Sequence, residues 1–260
     1  MKFIFILFAF FTAHYATAEE FKEVPEIAAL FNQAEIDGTF VLYDVNNGIF
    51  SGYNKSRANV RYIPASTFKI ANSLIGLEVG AVQGVDEILP YGGKAQFIKA
   101  WENDMSLRDA IKISNVPIYQ ELARRIGNVS MRENLSKLNY GNEEAGSIID
   151  SFWLDGPLKI SAIEQVKFIS KLIKGELHIA QEHQAAVREI LQLEQTEKYS
   201  LYVKSGWTTA PDPDTGWWVG WVKRDGKNYA FALNIDTYNM DDVAKRETLT
   251  RAALKILNLL

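Results

Sequence analysis

A serine hydroxyl becomes a useful nucleophile only when a base takes its proton, and Ser66-Thr67-Phe68-Lys69 supplies both groups within one short segment. On a helix, positions three apart lie on one face, so the Lys69 amine can reach the Ser66 hydroxyl. Two later segments, Ser114-Asn115-Val116 and Lys204-Ser205-Gly206, add a further serine and a second lysine beside a serine. Ser-x-x-Lys alone is a weak signal, since a chain of this composition holds about one by chance. A serine ahead of an apolar helical run is also a common N-cap. Capping accounts for the helix but leaves the two later segments unexplained. Read together, the three segments describe a serine nucleophile, Ser66, with a lysine base.

These residues need a frame. From Ser66 the apolar period is helical, with Phe68, Ala71, Asn72, Ile75 and Val79 on one face and Gly80 as the stop. Residues 39–43 and 49–53 flank Asn46-Asn47-Gly48 and read as a strand pair. Residues about 106–192 read as almost wholly helical, with a capping box at Ser161-Ala162-Ile163-Glu164 and a stop at Gly175. Strand patterns return at 199–207, 217–222 and 228–235, with Asp225-Gly226 as a hairpin turn, before a last amphipathic helix over 241–259. Strands at both ends with helices between them predict an α+β fold: one antiparallel sheet of five to seven strands, flanked by N- and C-terminal helices. A helical subdomain would be inserted over about 66–192. One catalytic domain is expected over 19–260.

Met1-Lys2, an apolar run to Phe11 and Ala16-Thr17-Ala18 form a secretory leader, with the cut expected after Ala18. The run is short for a bilayer span. The expected product is an exported, periplasmic protein with no membrane anchor after cleavage. Its formal charge moves from −4 to −5, which argues against a nucleic-acid partner. The chain has no cysteine, excluding thiol proteases, disulfide staples and thiolate metal sites. His178 and His183, the only histidines after the leader, are separated in a way that makes neither a zinc pair nor a triad, and read as helix-surface residues. Asp212 and Asp214 read as a turn rather than a calcium loop. No metal is expected.

Ser66-x-x-Lys69, Ser114-x-Val116, Tyr140-Gly141-Asn142, Phe152-Trp153-Leu154 and Lys204-Ser205-Gly206 stand in the order found in class D, oxacillinase-type, serine β-lactamases. The chain resembles that family over nearly all of its mature length. Val116 stands where class A enzymes and penicillin-binding proteins carry asparagine. The resemblance implies a β-lactam substrate, an acyl-enzyme on Ser66, and an oxyanion hole made by the backbone N–H groups of Ser66 and Trp207. Phe68, Val116, Trp153 and Leu154 would surround Lys69 and disfavour its charged form. A neutral amine can take up CO2, and in the family the resulting carboxylysine is the general base, with CO2 or bicarbonate the only small molecule required. The Trp153 indole would donate to that group; plain core filling is the alternative.

The same resemblance makes Ser114 a proton relay to the leaving nitrogen and gives Lys204 a positive field at the substrate carboxylate. Ser205, Gly206 and Arg246 would bind that carboxylate, with Lys245 and Arg251 as alternatives to Arg246. Trp101 would wall the substrate entrance, and Tyr140-Gly141-Asn142 would shape the site. Two rivals remain: a β-lactam sensor that keeps its acyl group, and a D,D-peptidase. Sensors normally carry membrane helices, and Val116 with the Phe-Trp-Leu segment weighs against a peptidase. Preferred substrates and oligomeric state are not legible in the sequence.

Overall fold

A computed structural model of the chain describes residues 20–209 and 212–260. The leader expected over residues 1–18 lies outside the described residues. Seven strands, β1 (Phe21–Glu23), β2 (Gly38–Asp44), β3 (Ile49–Tyr53), β4 (Gln192–Gln195), β5 (Tyr199–Thr208), β6 (Asp214–Arg224) and β7 (Lys227–Thr237), form one sheet in the order β1-β3-β2-β7-β6-β5-β4. All pairs are antiparallel except the short edge pair of β1 with β3, which is parallel. Asp225 and Gly226 both have positive φ (51° and 73°), as a two-residue turn between β6 and β7 requires.

The helices are α1 (Pro25–Gln33), α2 (Lys55–Ala58), α3 (Lys69–Glu78), α4 (Leu107–Lys112), α5 (Val116–Ile126), α6 (Asn128–Leu138), α7 (Ala162–Lys174), α8 (Gln181–Ile190) and α9 (Met240–Ile256). The sheet separates two apolar cores. Strand alternation decides which residue enters which: on β6, Trp217, Val219 and Trp221 enter the core beneath the central helices, while Trp218 and Val222 enter the one beneath α1 and α9. Helix α7 carries the expected capping box at Ser161 and Glu164 and ends at Gly175 in the left-handed region.

Three sequence expectations need correction. The helical reading of 106–192 breaks at residues 139–161, which contain no helix. That stretch is instead held by its own polar contacts: Asn142 exchanges hydrogen bonds with the Lys159 backbone at 2.9 Å. Gly141 has φ 57°, and a Cβ there would stand 2.1 Å from the Lys159 carbonyl, so only glycine fits. Helix α3 is not amphipathic in place, because Lys69 through Leu77 are all buried and Val79 lies at its exposed end. It runs through the middle of the helical layer, so each of its faces is covered. His178 lies in the loop between α7 and α8 and not on a helix; His183 is on α8, 3.0 Å from Glu78.

Candidate active site

Ser66 lies in a 3-10 turn, Ala65–Phe68, that runs directly into α3. In a 3-10 helix residues three apart stack over one another, and Lys69 Nζ stands 2.7 Å from Ser66 Oγ. Lys69 has no exposed surface. Burial, and then the positive charge of Lys204, hold its amine well below the ordinary lysine range. Ala65 is left-handed at φ 48°, a conformation that costs a non-glycine residue on the order of 1–2 kcal/mol.

Phe68 packs against Tyr140, Phe152 and Trp153 with ring centroids 5.6, 5.2 and 5.4 Å away. Trp153 is fully buried in this aromatic cluster, and its indole N–H has no hydrogen-bond partner. Trp207 has a second unpartnered indole N–H; Trp153 differs in being wholly buried against the neighbour of Lys69. Leu154 is half-buried, and its carbonyl accepts from Thr208 Oγ1 on β5 at 3.0 Å. Val116, half-buried, opens α5.

Ser114 occupies the α4–α5 turn with φ 57°, and its Oγ accepts from Lys204 Nζ at 2.9 Å. The same ammonium donates to Ser205 O at 2.9 Å. Burial, then Arg246, push the Lys204 pKa down to about 7. Trp101 braces the Ser114 turn, its indole donating to Ile113 O at 3.1 Å and its carbonyl accepting from Asn115 Nδ2 at 3.3 Å.

β4 pairs with β5 only as far as Tyr202. Lys204 and the residues after it therefore have a strand, β6, on one side only, and the other side is an edge onto which an extended ligand can lay. A Cβ at Gly206 would stand 2.9 Å from Pro64 O and 3.3 Å from Thr67 N, so glycine lets β5 press on the Ser66 turn. Arg246, on α9, donates to Gly206 O and to Val243 O, and burial lowers its pKa to about 10. Lys245 bonds Asp242, and Arg251 bonds Glu194 and Glu247. Of the three cations considered, Arg246 alone reaches the Lys204-Ser205-Gly206 strand among the described residues. No carboxylate ion-pairs with Lys69, Lys204 or Arg246 there, so the site is poised for an anion.

The family model of the penicillin binding protein transpeptidase domain matches residues 38–255. Beta-lactamase OXA-48 of Klebsiella pneumoniae is 39% identical over 92% of this chain and 91% of its own length. Beta-lactamase OXA-5 of Pseudomonas aeruginosa is 39% identical over 85% of this chain and 84% of its own. The crystal structure of FUS-1 (OXA-85), a class D β-lactamase from Fusobacterium nucleatum subsp. polymorphum, superimposes with a TM-score of 0.89. It is 44% identical and covers 92% of this chain and 100% of its own. The chain is a class D β-lactamase.

Two features of this class D site escaped the sequence reading. The Tyr119 ring lies 5.3 Å from Lys69 Nζ, and its hydroxyl pairs with Ser73 at 2.9 Å. Its position one turn after Val116, on the same helical face, was the available signal. Gln165 donates to Thr67 Oγ1 at 2.8 Å, across a sequence separation that no local pattern encodes. Among the described residues no group of three His, Cys, Asp or Glu side chains could hold a metal ion. No described helix is long and apolar enough to cross a membrane.

Proposed function

We propose that this chain hydrolyses the β-lactam ring of penicillin-type antibiotics through an ester on Ser66, with Lys69 as the seat of the general base. The observation that carries the reading is the 2.7 Å contact between Lys69 Nζ and Ser66 Oγ in a fully buried setting. Burial, then Lys204, hold the Lys69 amine well below its ordinary range, which favours the uncharged form that can accept a proton or combine with CO2. Carboxylated by CO2, Lys69 supplies a carboxylate base on the same stem. The chain fits that group: the buried Trp153 indole lacks an acceptor, and buried indole N–H groups need one.

Ser66 Oγ attacks the lactam carbonyl carbon as its proton leaves to the base. The backbone N–H groups of Ser66 and Trp207 hold the developing oxyanion. The ring C–N bond breaks, and the nitrogen receives a proton through Ser114, in contact with Lys204. Lys204, Ser205 and Arg246 hold the substrate carboxylate, for which a guanidinium fork is well suited. Gly206 admits the ligand to the strand edge, Val116 and Leu154 keep the base dry, and Trp101 flanks the entrance. The base, its first proton passed to the ring nitrogen through Ser114, then takes a proton from water as the water attacks the ester carbon, and Ser66 Oγ departs as the leaving group, recovering that proton. Residues 19–260 act as one catalytic domain, exported to the periplasm by the N-terminal leader, and the outcome is antibiotic resistance.

Time-resolved mass spectrometry of the purified protein with a penicillin tests this. The expected result is an adduct of the antibiotic's mass on the peptide holding Ser66, which disappears as hydrolysed product accumulates. A lasting adduct without turnover would support the sensor reading. Turnover of a reporter cephalosporin with no serine adduct would sink the ester route.

A further inference from the structure

Beside Ser66 lies a buried polar group with no part in the chemistry above. Thr67, Tyr140 and Gln165 each have no exposed surface. The Thr67 hydroxyl donates to Pro64 O at 2.7 Å, and the Thr67 backbone N–H donates to the same carbonyl at 3.1 Å. A hydroxyl has one proton. With that proton committed to Pro64, the oxygen is left to accept, and Gln165 Nε2 of α7 donates to it at 2.8 Å. The Tyr140 phenol lies against the same pair.

The two bonds onto Pro64 O close a short ring of backbone around Ala65 and Ser66. Ala65 stands inside it at φ 48°, where an L residue does not remain unless its surroundings hold it. The peptide plane between Ala65 and Ser66 carries the Ser66 N–H, so the direction of that N–H is set by the Ala65 backbone. On the opposite side β5 closes in: a Cβ at Gly206 would meet Pro64 O at 2.9 Å and Thr67 Cγ2 at 3.1 Å. The nucleophile turn is thus gripped between β5 and α7, and among the described residues its side-chain hydrogen bond to α7 is the Thr67–Gln165 bond.

We propose that Thr67 and Gln165 are positioning residues for acylation, holding the strained turn so that the Ser66 N–H and hydroxyl keep the orientation attack requires. The proposal rests on the acyl-enzyme reading and concerns the nucleophile, not the base. Of the Lys69 surroundings, Phe68 touches Tyr140, while Tyr119 and Trp153 take part in other contacts. Loss of the Thr67 hydroxyl therefore slows ester formation while Lys69 still takes up CO2.

The test compares Thr67→Val, which keeps shape and removes the hydroxyl, with Thr67→Ser, which keeps the hydroxyl, and with Gln165→Met. Acylation by a penicillin is followed by stopped flow, carboxylation of Lys69 by NMR with 13C-bicarbonate, and folding by thermal unfolding. Misplacement of a reacting group by a fraction of an ångström to an ångström costs up to about 100-fold. Thr67→Val is expected to slow acylation about 10- to 100-fold with the 13C signal of the parent retained. Gln165→Met is expected to act in the same direction more weakly, and Thr67→Ser to recover most of the parent rate. Acylation within about twofold of the parent in folded Thr67→Val and Gln165→Met overturns the proposal. So does a loss of the 13C signal in step with the rate, which marks general disruption of the core. A parent chain that forms no ester on Ser66 overturns the acyl-enzyme reading as well. A parent that acylates beside indifferent variants overturns this assignment alone.

Discussion

Lys69 and Lys204 are both buried, and each amine meets a serine hydroxyl, Ser66 at 2.7 Å and Ser114 at 2.9 Å. Their surroundings differ. Lys69 lies inside the helical layer among rings, and Ser66 is the one hydrogen-bond partner its amine has among the described residues. Lys204 sits on the edge of β5 and also donates to a backbone carbonyl, Ser205 O. Burial lowers both pKa values, and the one that keeps more polar contact falls to about 7. The same pair of residue types thus gives two different tools. In the proposed mechanism the amine with less polar contact is the base, whereas the one at the strand edge holds or passes a proton and attracts an anion.

The first way to break this comparison is to remove the proposed base. Lys69→Ala is expected to lower kcat/KM for a penicillin by about 10²- to 10⁴-fold, measured by steady-state hydrolysis; near-parent turnover would end the assignment. The second concerns the edge lysine. Below about pH 7 folded and unfolded chains both hold the Lys204 proton; from there to the ordinary value of 10.5 only the unfolded chain does. Stability is therefore expected to rise with pH across that window, by at most about 5 kcal/mol from this group. Denaturant unfolding at several pH values reads this slope, and Lys204→Met should flatten it; an unchanged slope in the variant would contradict the assigned shift.

Arg246→Ala sharpens the edge side. Loss of charge-assisted bonds to the substrate carboxylate is expected to cost about 10- to 100-fold in kcat/KM, mostly through KM. A fall in kcat at constant KM would show that Arg246 does something else. The smallest effect probes the cage. Trp153→Phe removes one indole N–H and is expected to lower turnover about tenfold, with bicarbonate restoring part of it at mildly acidic pH. If added bicarbonate changes nothing in either protein, the indole does not serve a carboxylated lysine.

Local signals carried much of the fold. Asp225-Gly226, the Ser161–Glu164 capping box and Gly175 each did what their backbone chemistry requires. The reading of 139–161 failed because that loop is closed by contacts across the sequence, from Asn142 to Pro157 and Lys159, and such pairings leave no period. The short β1 was likewise invisible, since three residues joining a sheet edge have no alternation to detect.

What the sequence determined by itself was the chemistry on offer: a serine and a lysine one short turn apart, two further Ser and Lys segments, and a family order with Val116 as its mark. Spacing within one turn fixes distance, so the Ser66–Lys69 pair was readable. Solvation is not local. Tyr119 against Lys69, Gly206 against Pro64 and Gln165 on Thr67 come from separate elements folded together. Only the tertiary structure decides which of two buried amines loses its polar company, because the water removed from one residue is displaced by residues distant in the chain.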